Sequence, residues 1–272
     1  MLGKLRSIAE ENKTILCFGI DPVLEKIEKS GSKAENATGT LEEQISDYYC
    51  DITDELINEN QISAIKPNYA YFAQYGFEGL KALKLVMEEY SGKLPIILDG
   101  KRGDIGRSSD AYAREVFDFW GADATTVSPY MGSDSVKPFV KDGKIVYMLC
   151  RTSNEGAKDF QELKVGKKPL YEHVAAKAAE WKTGLVVGAT SDSIKKILKI
   201  TGGKNVPLLI PGVGAQGGDL ELVLKAIKNE LPIHRINASS SIAFAYEKKG
   251  GNPVKAALAE AKSLNEKIGK FF

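Results

Sequence analysis

Short apolar runs alternate with longer amphipathic segments along the whole chain, and this alternation restricts the fold more than any other feature. The strand candidates are residues 14–20, 63–67, 95–99, 124–128, 145–150, 184–188, 206–210 and 233–238. They are rich in Val, Ile and Leu, mostly apolar on both faces, and bounded by Gly, Pro, Asp or Ser. Parallel strands covered by helices read this way. Helix candidates lie at 42–59, 79–90, 109–120, 168–179, 193–200 and 220–228, and 254–268 closes the chain. Eight strands with intervening helices fit an α/β protein of the single (β/α)8 TIM-barrel type, usually about 250 residues long. The chain of 272 residues is therefore read as one catalytic barrel domain, 1–272. An open doubly wound sheet shares the alternation and stands as the alternative. Residues 29–40 read as a solvated loop, and 154–166 as a long loop after the fifth strand.

Charge narrows the function classes. With 37 basic and 36 acidic residues, the net charge of +1 gives no support to nucleic-acid binding, although a phosphorylated small substrate needs only a local positive field. No window reaches the ~18 consecutive apolar residues of a membrane span. Residues 1–13 are polar and lack the apolar core of a signal peptide. Cys17, Cys50 and Cys150 lie far apart, and Cys17 and Cys150 sit inside strand-like runs. Buried thiols in a reducing, cytoplasmic compartment follow. His173 and His234 have no partner spacing for a metal site or triad, and Trp120 and Trp181 read as packing residues.

The chemistry concentrates in Leu98-Asp99-Gly100-Lys101-Arg102-Gly103-Asp104-Ile105-Gly106, where an apolar strand runs into D-x-K-x-x-D. On an extended strand end Asp99 and Lys101 point to the same face. The glycines at 100, 103 and 106 predict bends that carry Asp104 away from them. Ile65-Lys66-Pro67-Asn68 places a second lysine at the end of another short strand. Alone it reads as a snorkelling surface residue. Beside Asp99 and Lys101 it suggests alternating charge, Lys–Asp–Lys–Asp, held without metal.

These segments, in this order, resemble the orotidine 5′-monophosphate decarboxylase family, in the group with a K-R-G-D-I-G signature. The matched strand ends are Phe18-Gly19-Ile20-Asp21, Ile65 to Asn68, Asp99 to Gly106, Cys150-Arg151-Thr152-Ser153-Asn154, and Pro211-Gly212-Val213-Gly214-Ala215-Gln216-Gly217-Gly218. The resemblance implies metal- and cofactor-free conversion of orotidine 5′-monophosphate to uridine 5′-monophosphate (UMP) and CO2 in pyrimidine biosynthesis, by a homodimer with shared active sites. It implies that Asp21 contacts the ribose, Lys66 positions the first carboxylate and the ribose, and Asp99 faces the substrate carboxylate. Lys101 would be the general acid. Asp104 would come from the partner subunit, with Ile105 and Ser108 beside it. Ser153 would read the pyrimidine and Gln216 would span pyrimidine and phosphate. Gly214 and Gly217 belong to a glycine-rich turn whose backbone N–H groups approach the phosphate.

Those residue types suit the reaction. Loss of CO2 from C6 leaves a carbanion on a carbon without an attached electron sink, so fixed positive charge must stabilise it, and an ammonium can then protonate it. One position departs from the pattern: Ser240, in Asn237-Ala238-Ser239-Ser240-Ser241-Ile242, stands where the family usually presents an arginine to the phosphate. A hydroxyl brings no charge and no bidentate fork. The alternatives are thus a weakened or inactive nucleotide-binding variant, or a metal-dependent sugar-phosphate decarboxylase or aldol-type lyase on the same barrel. Lysines flanking and opposing Asp99 disfavour the metal reading.

Overall fold

A computed structural model describes residues 1–31, 39–189, 192–213 and 219–272. The alternation resolves into eight parallel strands: β1 (Leu16–Ile20), β2 (Ala64–Pro67), β3 (Ile97–Arg102), β4 (Ala124–Val127), β5 (Ile145–Arg151), β6 (Gly184–Val187), β7 (Leu208–Pro211) and β8 (Arg235–Ala238). Consecutive strands are neighbours, and β8 returns to pair with β1. Parallel bridges Ile65–Ile96 and Asn68–Asp99 bring β2 against β3, which joins the two ends of the sheet and decides against the open alternative. The fold is a (β/α)8 barrel.

The period-two alternation of each strand sets what faces inward. Cys17, Ala64, Ile97, Ala124, Tyr147, Val186 and Leu209 fill the interior, while Leu16, Phe18, Ile65, Leu98 and Val127 pack under the helices. Continuing the inward register towards the strand C-termini reaches Lys66, Asp99 and Thr126, with Asp21 directly after β1.

The floor is sealed by helix Leu2–Asn12, which the polar opening of the sequence did not suggest. Its Leu5 joins the interior cluster, and its Leu5 carbonyl accepts from Nη2 of Arg235 at 2.6 Å. Arg235 also donates to the carbonyls of His234 and Pro232, at the end of β8 away from the site. Helix Leu41–Asn58 begins with a capping box, in which Thr40 Oγ1 accepts from Glu43 N and Glu43 Oε2 accepts from Thr40 N. Its buried Ile45, Ile52 and Leu56 contribute about 1.5–3 kcal/mol each, and its Tyr49 hydroxyl donates to the Asp21 carbonyl at 2.8 Å, which steadies the chain leaving β1.

Three local readings change. The third strand runs on to Arg102 instead of ending at Asp99, with a register shift between Leu98 and Arg102. The 109–120 helix begins at Gly106 and ends in a π-helical turn, Glu115–Phe119. The 154–166 loop contains a short helix, Ala157–Phe160, and a hairpin strand, Lys164–Val165, paired with Lys168–Pro169. Only the ends of the 29–40 segment fall among the described residues.

Candidate functional site

Two adjoining cavity lobes open at the strand C-termini. They share Lys66, Asp99 and Pro211 as lining residues. One lobe, of 430 Å³, is walled by Lys101, Thr126, Leu149, Ser153, Gln161 and Val186. The other, of 360 Å³, is walled by Asp21, Lys26, Gly212, Asn237, Ser239 and Ser240. A larger cavity, of 720 Å³, lies at the opposite end of the barrel among Leu2, Lys144, Lys182 and Pro207, away from the strand-end carboxylates.

Asp99 is the hub. Lys66 Nζ donates to its Oδ2 at 2.8 Å, and Lys101 Nζ donates to its Oδ1 at 2.7 Å. Thr126 Oγ1 donates to the same Oδ1 at 2.8 Å and accepts from Lys101 N at 3.0 Å. Burial pushes the Asp99 carboxyl up, but the Lys66 and Lys101 ammonium groups outweigh it and hold the group well below the ordinary carboxylate range. For Lys66 burial works against the ammonium, and the Asp99 and Asp21 carboxylates overcome it, raising the pKa above the usual lysine value. The array is therefore charged at neutral pH: a carboxylate held between two cations. Lys101 adopts a left-handed backbone, φ 44°, which non-glycine residues seldom take, and half of its side chain stays in solvent. The expected pairing of Lys101 with Asp99 thus forms through a bulged strand end rather than plain alternation.

In the second lobe, Asp21 Oδ1 and Asn237 Oδ1 are buried acceptors without a partner among the described residues. Gly19 is required here, because a Cβ would meet Ser239 Oγ at 1.9 Å. Across the barrel, Gly188 lets the Ser153 backbone approach, where a Cβ would lie 2.7 Å from Ser153 N. The loop carrying Ser153 is tied down on both sides. Arg151 pairs with Glu162 at 2.8 Å, and Gln161 Oε1 accepts from Thr152 N at 2.8 Å.

Of the residues singled out in the sequence, Asp21, Lys66, Asp99, Lys101, Ser153 and Ser240 line the two lobes. Asp104, Ile105 and Ser108 do not. Asp104 Oδ1 accepts from Ile105 N, Ile105 is 55 % exposed, and Ser108 lines a separate surface depression with Arg107 and Arg114. The turn at Gly103 carries them off, so one chain assembles three members of the Lys–Asp–Lys–Asp alternation. Gly214, Gln216 and Gly217 lie outside the described residues. Arg102 turns away from the lobes. Its guanidinium binds Glu115 through Nε and Nη2 and lies over the rings of Tyr69 and Tyr112.

Thr126, Asn237 and Lys26 escaped the sequence reading. Thr126 follows another threonine in a strand, which signals only β propensity. Asn237 could have been found as the inward position two residues before Ser239.

Residues 14–250 match the model of the orotidine 5′-phosphate decarboxylase / HUMPS family. The chain is 41% identical over 253 residues to an orotidine 5′-phosphate decarboxylase of Janthinobacterium sp., covering 90% of this chain and 89% of that protein. It is 39% identical to the Variovorax paradoxus enzyme of that name, covering 98% and 97%. Among solved structures it resembles Leishmania donovani OMP decarboxylase with a TM-score of 0.77, 32% identity and 98% of each chain covered. It also resembles Leishmania donovani UMP synthase, with a TM-score of 0.79 and 35% identity over 97% of this chain and 56% of that one. These relatives lend no support to an inactive variant. The chain belongs to the orotidine 5′-phosphate decarboxylase / HUMPS family.

Proposed function

We infer that this chain is a carboxy-lyase that converts orotidine 5′-monophosphate to UMP and CO2, as one barrel domain and without metal or cofactor. The observation that carries this reading is the Lys66–Asp99–Lys101 array at the junction of the two lobes. The pyrimidine takes the lobe beside Ser153, the ribose meets Asp21, and the phosphate lies towards Ser240. Gln216, Gly214 and Gly217 are assigned to the phosphate side by family resemblance.

Asp99 faces the substrate carboxylate, and like-charge repulsion is relieved as CO2 leaves. The C6–carboxyl bond breaks, its electron pair stays on C6, and the Lys101 ammonium stabilises that charge before transferring a proton to C6. Lys101 then recovers a proton from water. Lys66, fixed by its ion pair, holds Asp99 and the ribose side in place. Both oxygens of Asp99 are engaged by ammonium groups, which favours this chemistry over metal-bound enediolate chemistry at the same strand ends.

The working unit is a homodimer in which Asp104, Ile105 and Ser108 complete the partner's site. Ile105, Tyr112, Tyr130, Met131 and Phe160 are exposed apolar residues. Ser109 Oγ donates to the Ser135 carbonyl, linking the helix after Ile105 to the segment after Tyr130, and Tyr130 meets Phe160 edge to face. Exposed apolar groups of this kind on linked segments suit an interface. Free Cys17, Cys50 and Cys150 fit a cytoplasmic enzyme. Among the described residues no helix is long and apolar enough to cross a membrane.

The test is direct. Purified protein is mixed with orotidine 5′-monophosphate in EDTA and the loss of pyrimidine absorbance is followed. Turnover unaffected by chelator is expected, and no turnover, or turnover restored only by divalent metal, overturns the reading.

A further inference from the structure

The 5′-phosphate of a nucleoside monophosphate brings close to two negative charges into the cavity, and something must balance them. The lobe that holds Asp21 and Ser240 is lined by two cations among the described residues, Lys66 and Lys26. Lys66 is committed to Asp99 at the opposite, reacting end. Arg235, two positions before Asn237 on the same strand, is fully buried on the barrel floor with its guanidinium bound to carbonyl oxygens. It cannot turn towards the lobe without crossing the packed interior.

Lys26 is differently placed. It sits on the short helix Leu24–Lys29 that follows β1, beside Ser240, and its ammonium lies 5.0 Å from the ring centroid of Phe244. Phe244 and Ser240 line the same lobe. The present partner of Lys26 is Glu247, at 2.7 Å, and both side chains of that pair are more than a third exposed. An exposed pair of this kind holds its lysine weakly, so exchange of Glu247 for a phosphate dianion in a partly enclosed lobe is favourable. Gly212, which lines the lobe, takes φ 94°, a backbone conformation that glycine adopts without strain.

We propose that Lys26 is the phosphate-binding cation of this chain, leaving Glu247 to pair with the 5′-phosphate while Ser240 donates a hydroxyl. This rests on the reading of the substrate as a nucleotide monophosphate, and it adds a specificity-determining residue that discriminates nucleotide from nucleoside.

The experiment compares UMP with uridine by calorimetric titration in the wild type, Lys26→Met, Lys26→Arg and Lys26→Met/Ser240→Arg, with thermal melts to show that each is folded. Met keeps the apolar stem against Phe244 and removes only the charge. Lys26→Met is expected to weaken UMP by about tenfold to a hundredfold and to leave uridine within about twofold. Lys26→Arg retains the UMP preference, and Ser240→Arg in the Met background recovers part of it. KM for the phosphorylated substrate rises in Lys26→Met more than kcat falls. A folded Lys26→Met protein that still prefers UMP as strongly as the wild type overturns the role of Lys26. A wild type that binds UMP no better than uridine overturns the substrate reading itself, so the two failures are distinguishable.

Discussion

The ammonium of Lys66, on β2, lies 2.8 Å from the carboxylate of Asp99, on β3, and both side chains are almost wholly withdrawn from solvent, at 5 % and 9 % exposure. Two charges so placed stabilise the fold only as a pair. Removing Asp99 leaves Lys66 buried with no bonded counter-charge and only the Asp21 carboxylate acting on it, and breaking a buried pair in this way typically costs 3–5 kcal/mol. Asp99→Ala is therefore expected to lower unfolding free energy by about that amount in urea titrations, because Lys101 can swing into solvent but Lys66 cannot. Replacing both residues together, as Lys66→Met/Asp99→Leu, should cost clearly less than the sum of the single changes. Additive single and double changes would show that the pair is not coupled.

Lys101 separates stability from chemistry. Its side chain is half exposed, and its left-handed backbone costs about 1–2 kcal/mol for a residue with a Cβ. Lys101→Gly should therefore be more stable than Lys101→Ala by about 1 kcal/mol. Both should lose turnover by at least about 10²–10⁴-fold, the range supplied by a positioned general acid. Stopped assays at saturating substrate check the second part and denaturant midpoints the first. Near-normal turnover in a folded Lys101→Ala protein would remove it from the mechanism.

The separation of Asp104 from Asp99 within one chain leads to a mixing experiment. Lys101→Ala and Asp104→Ala proteins should each be inactive as homodimers. If Asp104 serves the partner's site, mixed dimers contain one site with both residues intact, and activity should approach a quarter of the wild-type value per protomer after complete random exchange. Half of the dimers are then mixed, and each carries one good site of two. Mixtures that stay inactive while exchange is demonstrated by labelled subunits would count against sharing, as would a fully active monomer in sedimentation.

The barrel and the Lys66–Asp99 pair at its strand ends were legible in the sequence for the same reason. Short strands buried on both faces leave a plain apolar signature, and a polar residue at the end of such a run stands out, as Lys66 and Asp99 do. What was hidden depends on contacts distant in sequence. Closure rests on the Ile65–Ile96 and Asn68–Asp99 bridges, which alternation alone does not specify. The helix Leu2–Asn12 is mostly polar, and only Leu5 and Ala9 are buried, so it carries little periodic signal. Thr126 becomes important only because β4 lies beside β3, where its hydroxyl joins the Lys101 backbone to Asp99. The positive φ of Lys101 has no mark in a residue type that rarely adopts it.

His234 gives a pH dependence that lies away from catalysis. Its ring is buried at the end of the barrel opposite the site, and Nδ1 accepts from Leu208 N at 3.0 Å, so the neutral ring carries its proton on Nε2, which has no partner among the described residues. Burial, reinforced by the adjacent Arg235 cation, pushes its pKa down to about 3. In the unfolded chain the ring titrates near its ordinary value of about 6.5. A folded-state pKa below the unfolded one means that the unfolded state binds the proton first as the solution is acidified. The contribution is fully present above pH ~6.5 and is lost progressively as pH falls towards about 3. At pH 5 this one group should cost about 2 kcal/mol of unfolding free energy relative to pH 8. Asn at this position keeps an acceptor for Leu208 N and cannot be protonated in this range. Whatever its absolute stability, His234→Asn should show a pH 8 to pH 5 decline smaller by about 2 kcal/mol. Guanidinium titrations of both proteins at the two pH values give the comparison directly. Equal declines in the two proteins would mean that His234 is protonated in the fold, and that the Leu208 hydrogen bond does not hold the ring neutral.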